Sequence, residues 1–388
     1  MKKIVVFGGD GFCGWPTSLA LSQDGNDVTI VDNFSRRHID DNLSSGSLTE
    51  VKSIDQRLNK WFEMTGKEIN FIQLDVCNEV KEIERLLNEI HPDVIIHFAE
   101  QRSAPYSMLT SETNRYTVTN NVTGTNNLLS LLVRMNKKVH FIHLGSVGVY
   151  GYNNLGYEIP EGYIDVEIEG KDGRISKEVF APTDPGSIYH LTKVMDSNLF
   201  NFYAKYYGLD ITDLHQGIVW GVDTVETSMH EDLVNRFDYD GEFGTVLNRF
   251  LVQATNHETL TVYGKGDQTR AFINIQDTVN CIKLAIEKHK PITGRVEVRN
   301  QIAETKSINQ IAAVVADIFS VNISHIENPR LECEQHSLNV SNESFLLDGL
   351  QPILINASSL RDISSLIEKN SSRFNKKLMG TKARWNTV

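Results

Sequence analysis

The chain has 388 residues, of which 40% are hydrophobic and 23% charged, and its formal net charge is −12 at pH 7. This composition is ordinary for a globular protein, and the acidic balance argues against nucleic acid or an anionic membrane surface as the main partner. The four cysteines form no CxxC pair, which favours a reduced compartment over a disulfide framework. We therefore expect a cytoplasmic protein, since no apolar run approaches membrane-spanning length and no signal peptide precedes the first strand.

A glycine-rich turn follows the first predicted strand, residues 4–7. Gly8, Gly11 and Gly14 recur at three-residue spacing before a stretch of helix-like composition. Such a turn lets the backbone approach a pyrophosphate, and the helix that begins there presents free N–H groups to the anion. The next predicted strand ends at Asp32, whose carboxylate is placed for the ribose hydroxyls of NAD. The pattern predicts an NAD-binding fold.

Strand-like and helix-like segments alternate through the first half of the chain. Predicted strands cover residues 4–7, 28–31, 71–74, 94–98, 139–144 and 211–214. Helical stretches fall between them, including residues 80–89 and 116–134, and the small and amide residues at 120–125 interrupt the second. This alternation predicts an α/β fold of the Rossmann type, a doubly wound parallel sheet in which ligands bind at the carboxyl ends of the strands.

We expect two coupled domains. Residues 1–215 form the NAD-binding Rossmann domain and include a polar, acidic insertion at 152–186, which forms either a hairpin or lid near the active site or a solvated surface loop. Residues 216–370 form mainly a smaller C-terminal substrate-binding α/β domain, and about 270–285 is a candidate to return to the first domain. The tail, residues 371–388, is basic and low in apolar content, so we expect it to be poorly ordered.

Three side chains with complementary chemistry follow the later strands. Ser146 comes just after the fifth predicted strand, and Tyr189 and Lys193 stand four residues apart on a predicted helix. That spacing places the phenol and the ammonium on one helix face, where the cation favours the phenolate and lowers the tyrosine pKa. Together with the glycine turn and Asp32, these residues predict a catalytic site beside the bound nicotinamide.

The order of these motifs resembles the extended short-chain dehydrogenase/reductase family of nucleotide-sugar epimerases and dehydratases, over residues 1–350. The resemblance implies that Tyr189 acts as general base on a sugar hydroxyl, that Ser146 shares the proton, and that Lys193 tunes the tyrosine and holds the nicotinamide ribose. Arg36 and Arg37 leave NADP open as the less favoured cofactor. The NAD contacts implied in full are Gly8, Gly11, Phe12, Cys13, Asp32, Asn33, Arg36, Asp75, Val76, Phe98, Asn121, Tyr189 and Lys193.

Longer strings resemble one branch of that family, the UDP-sulfoquinovose synthases. They include Gly-Gly-Asp-Gly-Phe-Cys-Gly-Trp at 8–15, Glu-Gln-Arg-Ser-Ala-Pro-Tyr-Ser-Met at 100–108, and shorter matches at 189–191, 229–231, 235–240, 243–245, 247–250, 261–266 and 328–330. This resemblance implies UDP-glucose and sulfite as substrates and a homodimer as the assembly. Those synthases have Thr-Met-Gly-Glu where this chain has Ser146, Val147, Gly148 and Val149, so a possible acid is missing.

Arginines in the C-terminal half carry the chemistry needed for two phosphates, because guanidinium groups are planar, permanently charged and bidentate. By the resemblance Arg270 and Arg330 clamp UDP, and residues 261–263 flank the uracil. The substrate contacts implied in full are Arg102, Gln216, Asn248, Thr261, Val262, Tyr263, Arg270 and Arg330. No metal site is expected, since His230 and Glu231 lack a second histidine at the spacing of zinc peptidases.

The reaction implied by the resemblance is redox-neutral. Oxidation at C4 of the hexose acidifies the C5 hydrogen and lets the C6 hydroxyl leave, and sulfite then adds at C6 before C4 is reduced again. The family's 4,6-dehydratases carry Thr-Asp-Glu where this chain has Ser146, Val147 and Gly148, so the acid pair is absent. We therefore predict His190 as the proton shuttle, with a hydrogen bond to the substrate as its alternative role. Arg102 is the predicted cation for sulfite or for orienting the sugar.

Two other functions fit the same residues. A UDP-sugar 4-epimerase oxidises and re-reduces C4 without elimination, and Ser146, Tyr189 and Lys193 suffice for it. A non-catalytic, NAD-sensing regulator on the same fold is the second alternative, against which the complete catalytic set argues. Incubation with UDP-glucose in the presence and absence of sulfite separates these possibilities.

Overall fold

The computed structural model describes residues 1–135, 137–151, 156–171, 173–180, 183–330 and 337–385. Its strands are β1 Lys3–Phe7, β2 Asp27–Asp32, β3 Ile69–Gln73, β4 Val94–His97, β5 His140–Ser146, β6 Tyr163–Gly170, β7 Gly173–Phe180, β8 Asp210–Gln216, β9 Ile218–Trp220, β10 Leu260–Tyr263, β11 Thr269–Asn274, β12 Glu297–Gln301, β13 Glu304–Ser307 and β14 Ile323–Ile326. Its helices are α1 Gly14–Gln23, α2 Ser35–Leu43, α3 Ile54–Thr65, α4 Val80–Ile90, α5 Ala104–Ser107, α6 Ser111–Val118, α7 Gly124–Arg134, α8 Ile188–Tyr207, α9 Val246–Thr255, α10 Ile275–Glu287, α11 Ile308–Phe319, α12 Glu343–Leu347 and α13 Ala357–Lys369. None of them is long and apolar enough to cross a membrane.

The main sheet has seven strands in the order β12-β8-β5-β4-β1-β2-β3, and all of its neighbours pair in parallel. All six strands predicted from the sequence lie in it. The strand order reverses between β1 and β4, so the connections leave in opposite directions there and open a crevice at the carboxyl ends. This arrangement confirms the predicted Rossmann-type fold.

Helix α10 packs on the glycine-loop side of the main sheet. Its residues Cys281 and Ile282 share a buried apolar cluster with Trp15 and Leu19 of α1. The chain then enters the main sheet again as β12, which pairs with β8. Residues 270–285, which were predicted to return to the first domain, therefore do contact the main sheet. The contact with the main sheet continues along the chain to the end of β12.

A second layered unit carries the remaining C-terminal elements. Strands β9, β11 and β13 form a small mixed sheet, and β10 pairs in parallel with β14. Helices α9, α11 and α13 bury their apolar faces on this unit in a separate cluster that includes Phe250, Val315 and Ile363. The boundary between the two domains, predicted at residue 215, stays a prediction.

The predicted helix interruption at 120–125 is a π-helical turn, Thr119–Thr123, between α6 and α7. Within it the Asn121 side chain donates to the Gln101 carbonyl at 2.9 Å and to Thr192 Oγ1 at 3.0 Å, and it accepts from the Gln101 N–H at 2.8 Å. The amide thus satisfies backbone groups of the loop after β4, which fixes that loop beside the crevice.

The described part of the insertion forms an antiparallel hairpin, β6 and β7. At its base the Tyr163 ring packs edge-on against Phe180, with centroids 5.3 Å apart, and Arg295 pairs with Glu178 at 2.8 Å. Most of its other residues are exposed to solvent, so the hairpin projects from the surface. Residues 152–155, 172 and 181–182 of the insertion, like Cys333, lie outside the described residues.

The tail differs from the prediction of poor order. Through residue 385 it follows a defined path, with Met379 only 8% and Ala383 only 1% exposed. The segment is polar overall, but the buried side chains of Met379 and Ala383 fix it to the rest of the protein. Residues 386–388 lie outside the described chain.

Candidate active site

A cavity of about 360 Å³ lies over the carboxyl ends of the main sheet and is lined by residues from both halves of the chain. Most of the predicted site residues lie on its lining: Gly8, Gly11, Phe12, Cys13, Asp32, Asn33, Arg36, Val76, Phe98, Arg102, Ser146, Tyr189, His190, Lys193, Gln216, Tyr263, Arg270 and Arg330. The glycine turn, helix α8 with Tyr189 and Lys193, and the arginines Arg270 and Arg330 therefore line one cavity.

Close backbone packing shapes the glycine turn. A Cβ atom at Gly14 would lie 2.1 Å from the Gly8 carbonyl oxygen, and Gly8 itself has φ +80° with the backbone of Phe98 2.6 Å from an added Cβ. Helix α1 begins at Gly14, and no side chain caps it. The Trp15 N–H donates to the Gly11 carbonyl at 3.0 Å and Pro16 carries no N–H, so the helix offers an anion such as a pyrophosphate chiefly its positive dipole end.

Asp32 ends β2 on the cavity lining. Its carboxylate accepts from the Asp10 N–H at 3.0 Å and from the Phe34 N–H at 2.8 Å. Burial and the neighbouring Asp10 carboxylate raise the pKa of Asp32 to about 6. Arg37 is engaged by Asp10 through two hydrogen bonds of 2.6 and 2.8 Å. A guanidinium held in this way is a poor partner for a 2′-phosphate, which argues for NAD over NADP.

Ser146, Tyr189 and Lys193 come together at the centre of the cavity. Ser187 caps α8 by accepting the His190 N–H at 3.2 Å, and this fixes Tyr189 in the first turn of the helix. Ser146 ends β5 beside the Tyr189 side chain, where it lowers the pKa of the phenol. The Lys193 ammonium lies 5.9 Å from the centroid of the phenol ring. The juxtaposition predicted from the sequence is thus present.

Lys193 lowers the pKa of Tyr189 as predicted, but the net shift of that pKa is upward. Burial raises the pKa of Tyr189, and Lys193 and Ser146 counteract only part of that effect. Lys193 cannot act on the phenol with its full charge because its Nζ lies 2.5 Å from Glu100 Oε2. The i, i+4 spacing predicted the position of the cation correctly and gave no sign of its carboxylate partner.

Glu100 belongs to a buried chain of charged groups beneath the site. His143 lies between two carboxylates, with Nε2 2.8 Å from Glu100 Oε1 and Nδ1 2.8 Å from Asp213 Oδ1. Burial and Lys193 lower the pKa of His143, but the two carboxylates outweigh them and raise it to about 9. Lys193 also donates to the Leu144 carbonyl at 2.7 Å. These contacts hold the ammonium in place from below.

Asp196 adds a third carboxyl to this chain. It is fully buried, one turn after Lys193, and neither of its oxygens has a hydrogen-bond partner among the described residues. Burial and the nearby Glu100 carboxylate hold the pKa of Asp196 well above its usual range.

His190 fills the space above Gly148. A Cβ atom at position 148 would lie 2.2 Å from His190 Cδ2 and 2.3 Å from Nε2. The other ring nitrogen, Nδ1, lies 3.0 Å from Ser187 Oγ, and the imidazole centroid is 5.1 Å from that of Tyr189. The absence of a side chain at 148 therefore lets the imidazole lie beside the Tyr189 phenol.

Val149 does not lie on the cavity lining. Its side chain is 1% exposed and belongs to a buried apolar cluster with Val147, Tyr150 and Ile159. The residue that departs from the sulfoquinovose synthase pattern thus faces the protein interior, and the position contributes packing here.

Arg102 lies on the lining but is paired with Asp238. Arg36 and Arg236 also contact Asp238, at 3.2 and 2.9 Å, and Asp40 is the second carboxylate of the group. Three guanidinium groups thus share two carboxylates. With a third of its side chain exposed, Arg102 is more accessible than Arg36 or Arg236.

The far end of the cavity carries Arg249, Arg270, Arg330 and Tyr263. The Arg249 guanidinium stacks over the Tyr263 ring at 4.4 Å. Near the glycine turn, the Gln216 amide donates to Gln301 at 3.1 Å, which orients its side chain. The structure thus places guanidinium groups and an aromatic ring at the end of the cavity where UDP was predicted.

Five predicted contact residues are not on the lining: Asp75, Asn121, Asn248, Thr261 and Val262. Val262 points into the second apolar cluster, Thr261 Oγ1 accepts from Gln253 at 2.9 Å, and Asn248 is buried within α9. Asp75 accepts from the Asn33 side chain at 2.8 Å and Asn121 supports the loop after β4, so both stand one layer behind the lining.

Comparisons with known proteins confirm the resemblance predicted from the sequence strings. The sequence model of the NAD dependent epimerase/dehydratase family matches residues 4–298. The chloroplastic UDP-sulfoquinovose synthase of Spinacia oleracea is 40% identical over 392 residues, which cover 100% of this chain and 80% of that protein. The UDP-sulfoquinovose synthase of Sulfolobus acidocaldarius is 37% identical over 343 residues, covering 87% of this chain and 85% of the relative.

Solved structures share the fold at lower identity. The UDP-glucose 4-epimerase of Thermotoga maritima, solved with UDP-glucose, has a TM-score of 0.70 at 20% identity and covers 95% of this chain and 99% of its own. The UDP-glucuronic acid 4-epimerase of Bacillus cereus, solved with UDP-glucuronic acid and NAD, has a TM-score of 0.68 at 23% identity with the same coverage of both chains. These likenesses support the Rossmann-type architecture described above.

Proposed function

This chain belongs to the NAD dependent epimerase/dehydratase family, and from that membership we propose that it is an enzyme that converts UDP-glucose and sulfite into UDP-sulfoquinovose. The 40% identity to the spinach synthase across the whole chain is the observation that carries the proposal. The position of His190 above Gly148 supports it, because an imidazole there supplies the proton chemistry that the missing acid pair supplies in the dehydratases.

The residues of the glycine turn fit NAD. The turn leaves room for a pyrophosphate at the start of α1, and the Asp32 carboxylate lies on the lining to accept ribose hydroxyls. NAD⁺, when bound, supplies an acceptor for the C4 hydride and returns the hydride at the end of the cycle. The Lys193 ammonium, held by Glu100 and the Leu144 carbonyl, is placed to hold the nicotinamide ribose.

Tyr189 removes the proton of the C4 hydroxyl, and Ser146, whose hydroxyl lowers the pKa of Tyr189, shares that proton. Lys193 stabilises the phenolate that accepts the proton. The same phenol gives the proton back when C4 is reduced. These two side chains keep the C4 oxygen in one position through both halves of the cycle, which favours a redox-neutral reaction.

His190 acts on C5 and C6. Once C4 is a ketone, the imidazole takes the C5 proton and delivers it to the C6 hydroxyl, so that the C6–O bond breaks and water leaves. The sulfur of hydrogen sulfite then forms the C6–S bond, and the proton of hydrogen sulfite returns to C5. The sum is UDP-glucose plus hydrogen sulfite giving UDP-sulfoquinovose plus water, with no net change in the cofactor.

Arg102 is the proposed contact for sulfite. It lies on the lining and is more exposed than Arg36 or Arg236, the other guanidinium groups that contact Asp238. In the absence of sulfite, Asp238 neutralises the charge of Arg102. An oxyanion that binds Arg102 has to replace at least part of this ion pair. This exchange favours a small anion that makes a bidentate contact.

A homodimer is the proposed assembly. On α8, the side chains of Phe202, Tyr206 and Tyr207 are 48%, 65% and 54% exposed. An aromatic face of this size on a helix is suited to pairing with a second copy of the chain. The domain division at residue 215 is likewise proposed as the boundary between cofactor-binding and substrate-binding parts.

The experiment that tests the function is product analysis. The protein is incubated with UDP-glucose and NAD, with and without sulfite, and the nucleotide sugars are separated and weighed by mass spectrometry. A sulfonated nucleotide sugar is expected only when sulfite is present. UDP-galactose in both incubations would identify a 4-epimerase instead, and binding of NAD and UDP-glucose without any product would favour the sensor.

A further inference from the structure

The tail returns to the substrate cavity. The segment 375–385, here called the C-terminal strap, lies on the loop that follows Asp238. The Asn375 N–H donates to the Tyr239 hydroxyl at 2.9 Å, the Gly241 N–H donates to the Leu378 carbonyl at 2.8 Å, and the Lys382 N–H donates to a Glu242 carboxylate oxygen at 2.8 Å. Backbone groups of the strap are thus hydrogen-bonded at three successive points, which define its path.

Close backbone contact sets the position of the strap. A Cβ atom on Gly241 would lie 2.3 Å from the Thr381 nitrogen and 2.4 Å from the Gly380 carbonyl carbon. Position 241 therefore accepts no larger residue while the strap stays in place. The buried side chains of Met379 and Ala383 anchor the strap on either side of this contact.

The strap ends at the cavity with Trp385, which lies on the lining together with Thr381. The indole Nε1–H donates to the Gly186 carbonyl at 2.9 Å, immediately before the Ser187 cap of α8. The Trp385 N–H donates to the Pro329 carbonyl at 3.2 Å, and the Arg330 guanidinium lies 5.5 Å from the ring centroid. One side chain thus spans from the catalytic helix to the arginine end of the cavity.

We propose that Trp385 is a substrate-positioning residue, and that its ring packs against the hexose and adjoining phosphate of the nucleotide sugar between α8 and Arg330. This inference rests on the proposed function. An aromatic ring offers a rigid, largely apolar surface to the C–H groups of a sugar, and it excludes water from the face that it covers. The C-terminal strap supplies that ring to a cavity otherwise built by the two domains.

Tryptophan fluorescence provides a test that needs no turnover. The chain has four tryptophans, and Trp15, Trp61 and Trp220 are each 0% exposed, whereas Trp385 is partly exposed. Acrylamide is therefore expected to quench mainly Trp385. With NAD and UDP-glucose bound, the quenchable fraction is expected to fall, and Trp385→Phe is expected to remove the quenchable component while Trp61→Phe keeps it.

Kinetics and a displaced strap add a second readout. Trp385→Ala is expected to raise KM for UDP-glucose about tenfold with a smaller change in kcat, and Trp385→Phe to restore most of the loss. Gly241→Ala forces the strap away and is expected to abolish the protection of Trp385 by UDP-glucose. Gly380→Ala adds the same methyl group with no atom within 4 Å of it, and is expected to keep that protection.

The outcomes separate the two proposals. Calorimetry measures UDP-glucose binding on the same samples. If UDP-glucose binds and acrylamide still quenches Trp385 as in the free protein, the positioning role is wrong while the proposed function stands. If UDP-glucose does not bind, the proposed function fails and the inference fails with it.

Discussion

A methyl group added at position 148 tests the role of His190 without altering the imidazole itself. In Gly148→Ala the new Cβ would lie 2.2 Å from His190 Cδ2, whereas ordinary van der Waals contact begins at 3.4 Å, so the ring has to move by more than 1 Å. The three atoms nearest the new Cβ all belong to His190, so the methyl group does not displace the Tyr189 phenol or Ser146 directly. A displacement of about 1 Å of a group that transfers protons costs roughly 10²-fold in rate.

The assay separates the two chemical stages. Single-turnover mixing with UDP-glucose follows reduction of the bound nicotinamide by absorbance, and mass spectrometry follows the sulfonated product. Gly148→Ala is expected to keep the fast reduction at C4 and to form product about 10²-fold more slowly. Gly46→Ala, where no atom lies within 4 Å of the added Cβ, is the matched control and is expected to behave as the unaltered protein.

Two results would refute this reasoning. If Gly148→Ala forms product at the unaltered rate, the position of His190 does not matter and the imidazole is not the shuttle. If the reduction at C4 slows as much as product formation, the loss lies with Tyr189 and not with the elimination.

Three further predictions address the rest of the site. Tyr189→Phe is expected to lower kcat by about 10²–10⁴-fold in product formation, while the Kd for NAD, measured by calorimetry, changes much less because the other predicted NAD contacts are retained. Because the folded-state pKa of Asp32 is raised to about 6, the Kd for NAD is expected to rise as the pH falls through that value and the carboxylate becomes protonated, and Asp32→Asn is expected to remove this pH dependence. Glu100→Gln leaves the Lys193 ammonium without its buried counter-charge and is expected to cost about 3–5 kcal/mol in urea unfolding. A loss as small as that of Glu63→Gln, which breaks the exposed pair with Lys60, would show that the buried ion pair is dispensable.

Local sequence patterns were sufficient to predict the cofactor half of the fold. The spacing of Gly8, Gly11 and Gly14, the acid at Asp32 and the strand–helix alternation each report on backbone geometry within one βαβ unit. The helical spacing of Tyr189 and Lys193 likewise placed both side chains on one face. Each of these features depends on residues that are close together in the chain, so it can be predicted from a single sequence.

The charge state of the site depends on contacts that no local pattern reports. Glu100, His143 and Asp213 lie on different strands or loops, and only the parallel order β4-β5-β8 brings them together. The sequence contained an available signal, since His143 stands in the middle of strand β5 between the apolar residues Ile142 and Leu144. An ionisable residue in the middle of a buried strand requires a partner, which predicts a buried network without naming its members.

The sequence strings shared with the synthases predicted which segments lie near the substrate site, but they were less successful in predicting which side chains line it. The matches around 247–250 and 261–266 lie beside the cavity, yet Asn248 and Val262 face the protein interior. A shared string reports that a segment is retained, whereas the direction of each side chain follows from strand alternation and helix phase. The tail was misjudged for a related reason: its basic composition concealed the two buried anchors, Met379 and Ala383.

Isotope retention at C4 tests the central claim most directly. UDP-glucose carrying deuterium at C4 is converted with sulfite in ordinary water, and the product is examined by mass spectrometry and NMR. If NAD⁺ accepts the hydride from C4 and the same hydride returns to C4, the sulfonated product keeps deuterium at C4. A sulfonated product that carries ordinary hydrogen at C4 would contradict the account.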